Sequence, residues 1–201
     1  QPEEVRSILN YAHSQNIDLL DTAPAYGNSE KVLGVTNVQN FKVVTKTRHF
    51  ESFEIKNTDV KLLNNDFHHS LKDLKQHSVY GVLIHDADDL LKPGAEKLFD
   101  KLQELKQAEK IVKIGVSVYD HSQLQSILDN FAIDLVQLPF NILDRRMIDS
   151  GMFSTLRSKG VEVHARSVFL QGLLLMTEQS RHEKFNRWSG LWKIWHEWLN
   201  D

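Results

Sequence analysis

The sequence predicts an α/β fold of repeated strand–helix units around a parallel sheet. Of the two architectures that pattern allows, it favours a (β/α)8 barrel over a doubly wound sheet. Three observations carry this reading. Apolar residues switch between a period of two and a period near 3.6 along the whole chain. The period-two runs are short and mostly apolar, as expected of strands covered on both faces. No GxGxxG follows any of them, so a doubly wound dinucleotide fold has no motif to support it.

The elements follow in order. Residues 3–15 read as a helix with Val5, Ile8, Leu9 and Ala12 on one face, and residues 17–22 as a strand. Asn28, Ser29 and Glu30 could cap a short helix over residues 29–33, which Gly34 is expected to close. KVVTK at 42–46 is a strand. A helix over 59–74 carries Leu62, Leu63, Phe67 and Leu71 on its apolar side. VYGVLI at 79–84 is a strand, and the helix at 95–109 presents Leu98, Leu102 and Leu105. KIGVSV at 113–118 is a strand, followed by a helix at 122–130. LVQLPF at 135–140 is a strand, followed by a helix at 150–159 that Gly160 stops. A strand at 161–168 and a final helix at 188–199 complete the series. No linker or low-complexity stretch divides it, so residues 1–201 are expected to form one domain.

Bulk composition excludes several function classes. The formal charge of −3 is nearly balanced and Lys and Arg are dispersed, which argues against a nucleic-acid surface. No apolar run approaches the roughly 20 residues of a membrane helix, and the N-terminal segment does not have the form of a signal peptide. The absence of cysteine removes disulfides, thiolate metal sites and a cysteine nucleophile, and fits a reducing, cytoplasmic setting.

In a barrel, chemistry collects where the strands end. The six strands deliver Asp21, Lys46, His85, Ser117, Gln137 and the pair Arg166–Ser167 near one rim. Singly each has a bland explanation: a helix cap, a solvated lysine, a hydrogen-bonded core histidine. Six together are harder to dismiss. Tyr26 joins them from the loop after the first strand. A phenol with a pKa near 10 is a poor acid at neutral pH, and a nearby ammonium stabilises its phenolate. A carboxylate would keep that ammonium charged and in place, and an imidazole could hydrogen-bond a substrate carbonyl. Such a group would protonate a carbonyl oxygen. The hydride would have to come from a nicotinamide or flavin.

The stretch DTAPAYGNSEKVLG resembles the DTAxxYGxSExxLG signature of the aldo-keto reductases. VVTKT, VLIHD, IGVSV, DLVQLPFN and VEVHARSVFLQGLL continue the resemblance in order over residues 17–174. It implies NADPH-dependent reduction of an aldehyde or ketone, with NADH not excluded, and a small carbonyl compound as substrate. By matching motif it makes Tyr26 the general acid, tuned by Lys46 and Asp21, and has His85 polarise the carbonyl. Ser117 and Gln137 would hold the nicotinamide carboxamide. Arg166 stands where many relatives carry an aromatic that stacks on the nicotinamide ring. Ser167 and the FLQG loop, with Gly172, would lie near the pyrophosphate. Val118 replaces the asparagine that many relatives carry after the serine, leaving Ser117 one amide fewer beside it.

The resemblance also implies eight strands where six are readable. The first strand, the last strand and the last helix have no candidates, so the chain is expected to be a piece of a longer reductase. An open six-stranded sheet would leave two unpaired edges. Trp188, Trp192, Trp195 and Trp198 line one helix face, expected to pack on the barrel rather than on a membrane or partner. No HExxH occurs among the ten histidines, and His68 and His69 point to different sides of a helix, so no catalytic metal is expected. Two other functions compete: an aldolase-like barrel with Lys46 as Schiff-base lysine, and a non-catalytic barrel that binds cofactor and serves as a regulatory subunit.

Overall fold

The computed structural model describes residues 2–36 and 38–200. Helices and strands alternate as α1 (Pro2–Ser14), β1 (Leu19–Asp21), α2 (Ser29–Thr36), β2 (Lys42–Lys46), α3 (Asn57–Leu74), β3 (Val79–Ile84), α4 (Glu96–Gln107) and β4 (Ile111–Ser117), then α5 (His121–Asn130), β5 (Leu135–Pro139), α6 (Arg146–Asp149), α7 (Met152–Ser158), β6 (Glu162–Arg166) and α8 (Ser189–Asn200). All six strands run parallel in the order β1-β2-β3-β4-β5-β6, with β1 and β6 at the edges. This is six-eighths of a (β/α)8 barrel.

The sheet is strongly curled. Gln137 on β5 donates to Asp21 on β1 at 2.7 Å, although four strand spacings of a flat sheet would separate them by roughly 19 Å. Tyr80 on β3 likewise reaches Glu162 on β6 at 2.7 Å. The main core lies between the convex face and the helices, where Val43, Val82, Ile114, Val116, Val136 and Leu138 meet Leu63, Leu98, Leu102, Leu124, Ile127 and Leu156. On the concave side Val44, Leu83 and Leu135 form a small apolar plug with Leu19 and Tyr80 against it. Gly81 and Gly115 make room for this plug: a Cβ on Gly115 would lie 2.1 Å from the Leu135 carbonyl oxygen. The concave face is thus layered, with polar groups above and below an apolar middle.

Three expectations are corrected. Gly34 does not close α2; the helix runs through it to Thr36, and the α3 backbone at Asp73 approaches it closely. The helix expected at 150–159 begins only at Met152, because Gly151 before it has a φ of 73°, and a separate short helix, α6, precedes it at Arg146–Asp149. The last strand stops at Arg166, because Ser167 turns to a φ of 59°. On α1 only Leu9 is buried and Ile8 is exposed. Trp192 and Trp195 of α8 turn inward, donating to the carbonyls of Phe185 and Leu174, so α8 packs on the segment that follows β6. Trp188 is partly exposed and Trp198 mostly so.

Candidate active site

Asp21 is the last residue of β1 and Lys46 the last of β2. Alternation along β2 turns Lys46 to the concave side, and its side chain is almost completely buried. Its ammonium is held by the Asp21 carboxylate at 2.6 Å and the Thr22 carbonyl at 3.0 Å. The second Asp21 oxygen accepts from the Gln137 amide at 2.7 Å. Both oxygens are therefore engaged, and breaking such a pair would leave a buried charge uncompensated.

Tyr26 projects from the loop between β1 and α2. Gly27, with φ 64°, turns the chain there, and Ser29 N donates back to the Tyr26 carbonyl at 3.3 Å. The Lys46 ammonium stands 4.9 Å from the Tyr26 ring centroid. The His85 ring meets Tyr26 edge to face, with centroids 5.9 Å apart and planes at 85°. Tyr26 is about half exposed, and its hydroxyl has no protein partner among the described residues. His85 follows β3, where Thr47 Oγ1 accepts from its backbone N–H at 3.2 Å. Partial burial and the Lys46 charge hold the imidazole below its ordinary pKa. It is therefore neutral at pH 7, with one N–H to donate.

The cofactor candidates separate into two groups. Ser117 pairs with Gln137 in the β4–β5 register, and both are buried at the rim. The Ser117 hydroxyl is unbonded among the described residues, whereas the Gln137 amide nitrogen is committed to Asp21. Arg166 lies further along the rim: its guanidinium stacks 4.1 Å from the Tyr119 ring centroid and donates to the Val118 carbonyl at 3.1 Å. Its buried Nε has no partner. The Ser167 carbonyl accepts from the Asn141 amide at 3.2 Å, and Leu170, Gln171 and Gly172 all have positive φ. An apolar groove of about 690 Å³ between α8 and the segment after β6 does not include Asp21, Tyr26, Lys46 or His85.

Sequence reasoning missed Thr22, Thr47 and Tyr119. The two threonines flank the expected residues within DTAPAY and VVTKT, and Tyr119 is the aromatic just past IGVSV. Glu30 is not a cap: it is buried and accepts from Thr45 Oγ1 at 2.6 Å and Ser70 Oγ at 3.0 Å. Among the described residues no group of three or more His, Asp or Glu is arranged to hold a metal, and no helix is long and apolar enough to cross a membrane.

The chain as a whole is similar to known proteins. The NADH-specific methylglyoxal reductase of Escherichia coli is 28% identical over 186 residues, covering 83% of this chain and 56% of the relative. The aldo-keto reductase YhdN of Bacillus subtilis is 29% identical over 74% of this chain and 46% of its own length. The chain thus spans about half the length of the curated relatives it matches. In fold it resembles the holo aldo-keto reductase AKR11C1 of Bacillus halodurans, with a TM-score of 0.72 at 23% identity over 87% of this chain and 60% of the other. The glycerol dehydrogenase AKR11B4 of Gluconobacter oxydans gives 0.70 at 23% identity over 90% and 58%. The profile of the aldo/keto reductase family matches residues 1–195, and the chain belongs to that family.

Proposed function

We propose that the protein reduces an aldehyde or ketone to an alcohol with a nicotinamide dinucleotide. Tyr26 is the general acid, Lys46 and Asp21 stabilise its phenolate, and His85 orients the carbonyl. One observation carries the reading: the Lys46 ammonium, clamped to Asp21 at 2.6 Å, faces the ring of a phenol whose hydroxyl is free beside the His85 imidazole.

The bound cofactor would supply a hydride to the carbonyl carbon. As the C=O π pair moves onto oxygen, Tyr26 gives its proton to that oxygen and is left as phenolate. Lys46 stabilises this anion, and solvent returns the proton to the phenolate oxygen of the half-exposed Tyr26. The neutral His85 donates one N–H to the carbonyl oxygen and fixes its approach. Asp21 holds Lys46 in place, while Gln137 and Thr22 hold the clamp.

The residues present fit the cofactor. The free Ser117 hydroxyl and the unbonded Gln137 carbonyl can take the nicotinamide carboxamide, and the orphaned Nε of Arg166 suits an acceptor on the same molecule. Ser167 and Gly172 would border the pyrophosphate. The reading takes NADPH or NADH, since one relative carries the name NADH-specific. It takes residues 1–201 as one barrel domain working in the cytoplasm on a small carbonyl compound.

The test is oxidation of NADPH and NADH with a panel of aldehydes that includes methylglyoxal. Turnover is expected, with a roughly 10²–10⁴-fold loss in Tyr26→Phe, the span that a general acid contributes. Cofactor binding without turnover in the unaltered protein would instead favour the non-catalytic regulatory barrel. Turnover that survives Tyr26→Phe unchanged sinks the assignment of the acid.

A further inference from the structure

We infer that Glu30 is a positioning residue for the reacting pair, clamping the loop that carries Tyr26 to the strand that carries Lys46. This rests on the reading of Tyr26 as the proton donor.

The Tyr26 side chain makes no hydrogen bond to fix it among the described residues, so its place depends on the loop of residues 23–28. That loop is held at both ends. At its start the Thr22 carbonyl accepts from Lys46 Nζ at 3.0 Å, and the Thr22 and Ser29 hydroxyls share a bond of 2.8 Å. At its end Glu30, in the first turn of α2, is only 5% exposed. One of its oxygens takes the hydroxyl of Thr45, the residue before Lys46. The strand's alternation sends Thr45 outward to Glu30 and Lys46 inward to Asp21. A single peptide unit of β2 thus transmits the grip of Glu30 to the root of the lysine. The other oxygen takes Ser70 of α3, which is 2% exposed.

The choice of side chain points the same way. Glu30 pairs with no cation among the described residues; hydroxyls satisfy it. Burying a carboxyl on such terms is poor for stability, and an apolar residue of similar volume is often neutral or better. Two directional bonds to two different elements give what an apolar residue cannot, a fixed distance between loop and strand. The benefit is therefore expected at the site rather than in the fold.

The test compares the full chain with Glu30→Leu and Glu30→Gln after labelling the four tyrosines with 3-fluorotyrosine. Tyr26→Phe assigns the Tyr26 resonance, so this readout needs neither cofactor nor substrate. Glu30→Leu is expected to keep the fold by circular dichroism yet move the Tyr26 resonance. Where turnover is measured, its kcat should fall about tenfold or more with KM within about twofold, since small misplacements of reacting groups are costly. Glu30→Gln, which keeps an acceptor for Thr45 and can donate to Ser70, should restore both. Lys46→Met is the reference. If it leaves the Tyr26 resonance unmoved, the Lys46–Tyr26 reading fails and the inference with it. If it moves the resonance and a folded Glu30→Leu does not, the inference alone is overturned. Should Glu30→Leu not fold, Thr45→Val carries the same comparison, and an unmoved Tyr26 resonance in it overturns the inference equally.

Discussion

His85 is pulled in opposite directions by its neighbours. Burial and the Lys46 ammonium disfavour the imidazolium, Asp21 and Asp86 favour it, and the first pair wins, so its pKa is lowered. Between that lowered value and the ordinary one near 6.5, the unfolded chain binds more proton than the folded one. Stability attributable to this residue is therefore intact above about pH 6.5 and declines as pH falls through the window. His85→Asn should show a shallower loss between pH 6.5 and 5, measured as urea midpoints against pH for both proteins. The other nine histidines are common to both, so the difference isolates His85. Parallel curves would mean that the folded environment does not disfavour its charge. The same neutrality serves the proposed chemistry, because an imidazolium beside the Tyr26 ring would compete with Lys46 as the local cation.

At the scale of elements, α2 is held against its neighbours at two points, Glu30 and Gly34. A Cβ on Gly34 would lie 2.0 Å from the Asp73 carbonyl oxygen of α3, and backbone cannot give way as a flexible side chain can. Glycine inside a helix costs about 1 kcal/mol against alanine, and close approach explains why it is here. Gly34→Ala should therefore destabilise by about 1–3 kcal/mol, against the direction propensity predicts. Thermal or denaturant unfolding checks this, and a stabilised variant would show that the two helices can part. Gly34 also marks where the sequence ceased to be legible. Strands at 42–46 and 79–84 were readable to the residue, because apolar runs buried on both faces leave a local signature. The gathering of Asp21, Tyr26, Lys46 and His85 was readable because Asp21, Lys46 and His85 stand at or just past strand ends and Tyr26 lies in the loop that follows the first. What a glycine or a buried glutamate touches depends on residues about 40 positions away, such as Asp73 and Ser70. No local pattern holds that information, so both looked like ordinary helix ends.

Across the whole molecule, the curl that brings β1 and β5 together is also bridged at the opposite end of the concave face. There Glu162 of β6 accepts from Tyr80 of β3 at 2.7 Å, bonds His164 at 2.7 Å and pairs with Lys113 of β4. Since β6 is an edge with a ladder on one side only, these cross-sheet bonds are a second restraint on its position. Burial pulls the Glu162 carboxyl up, but the bonds from Lys113, Tyr80 and His164 overcome it and hold the group at about 2 against the usual 4.5. As pH falls below 4.5 the unfolded chain takes up this proton first. The contribution to stability is thus full above that value and is lost as pH falls through about 2. Glu162→Gln should be less stable than the unaltered chain at pH 7, because Lys113 loses its counter-charge. The gap should narrow as pH is lowered from 4.5 toward 2, which denaturant midpoints at stepped pH would follow. A gap of constant size would mean that Glu162 binds its proton alike in both states. The restraint on β6 would then come from its pairing with β5, and the curl from the Asp21–Gln137 bridge and the plug of Val44, Leu83 and Leu135.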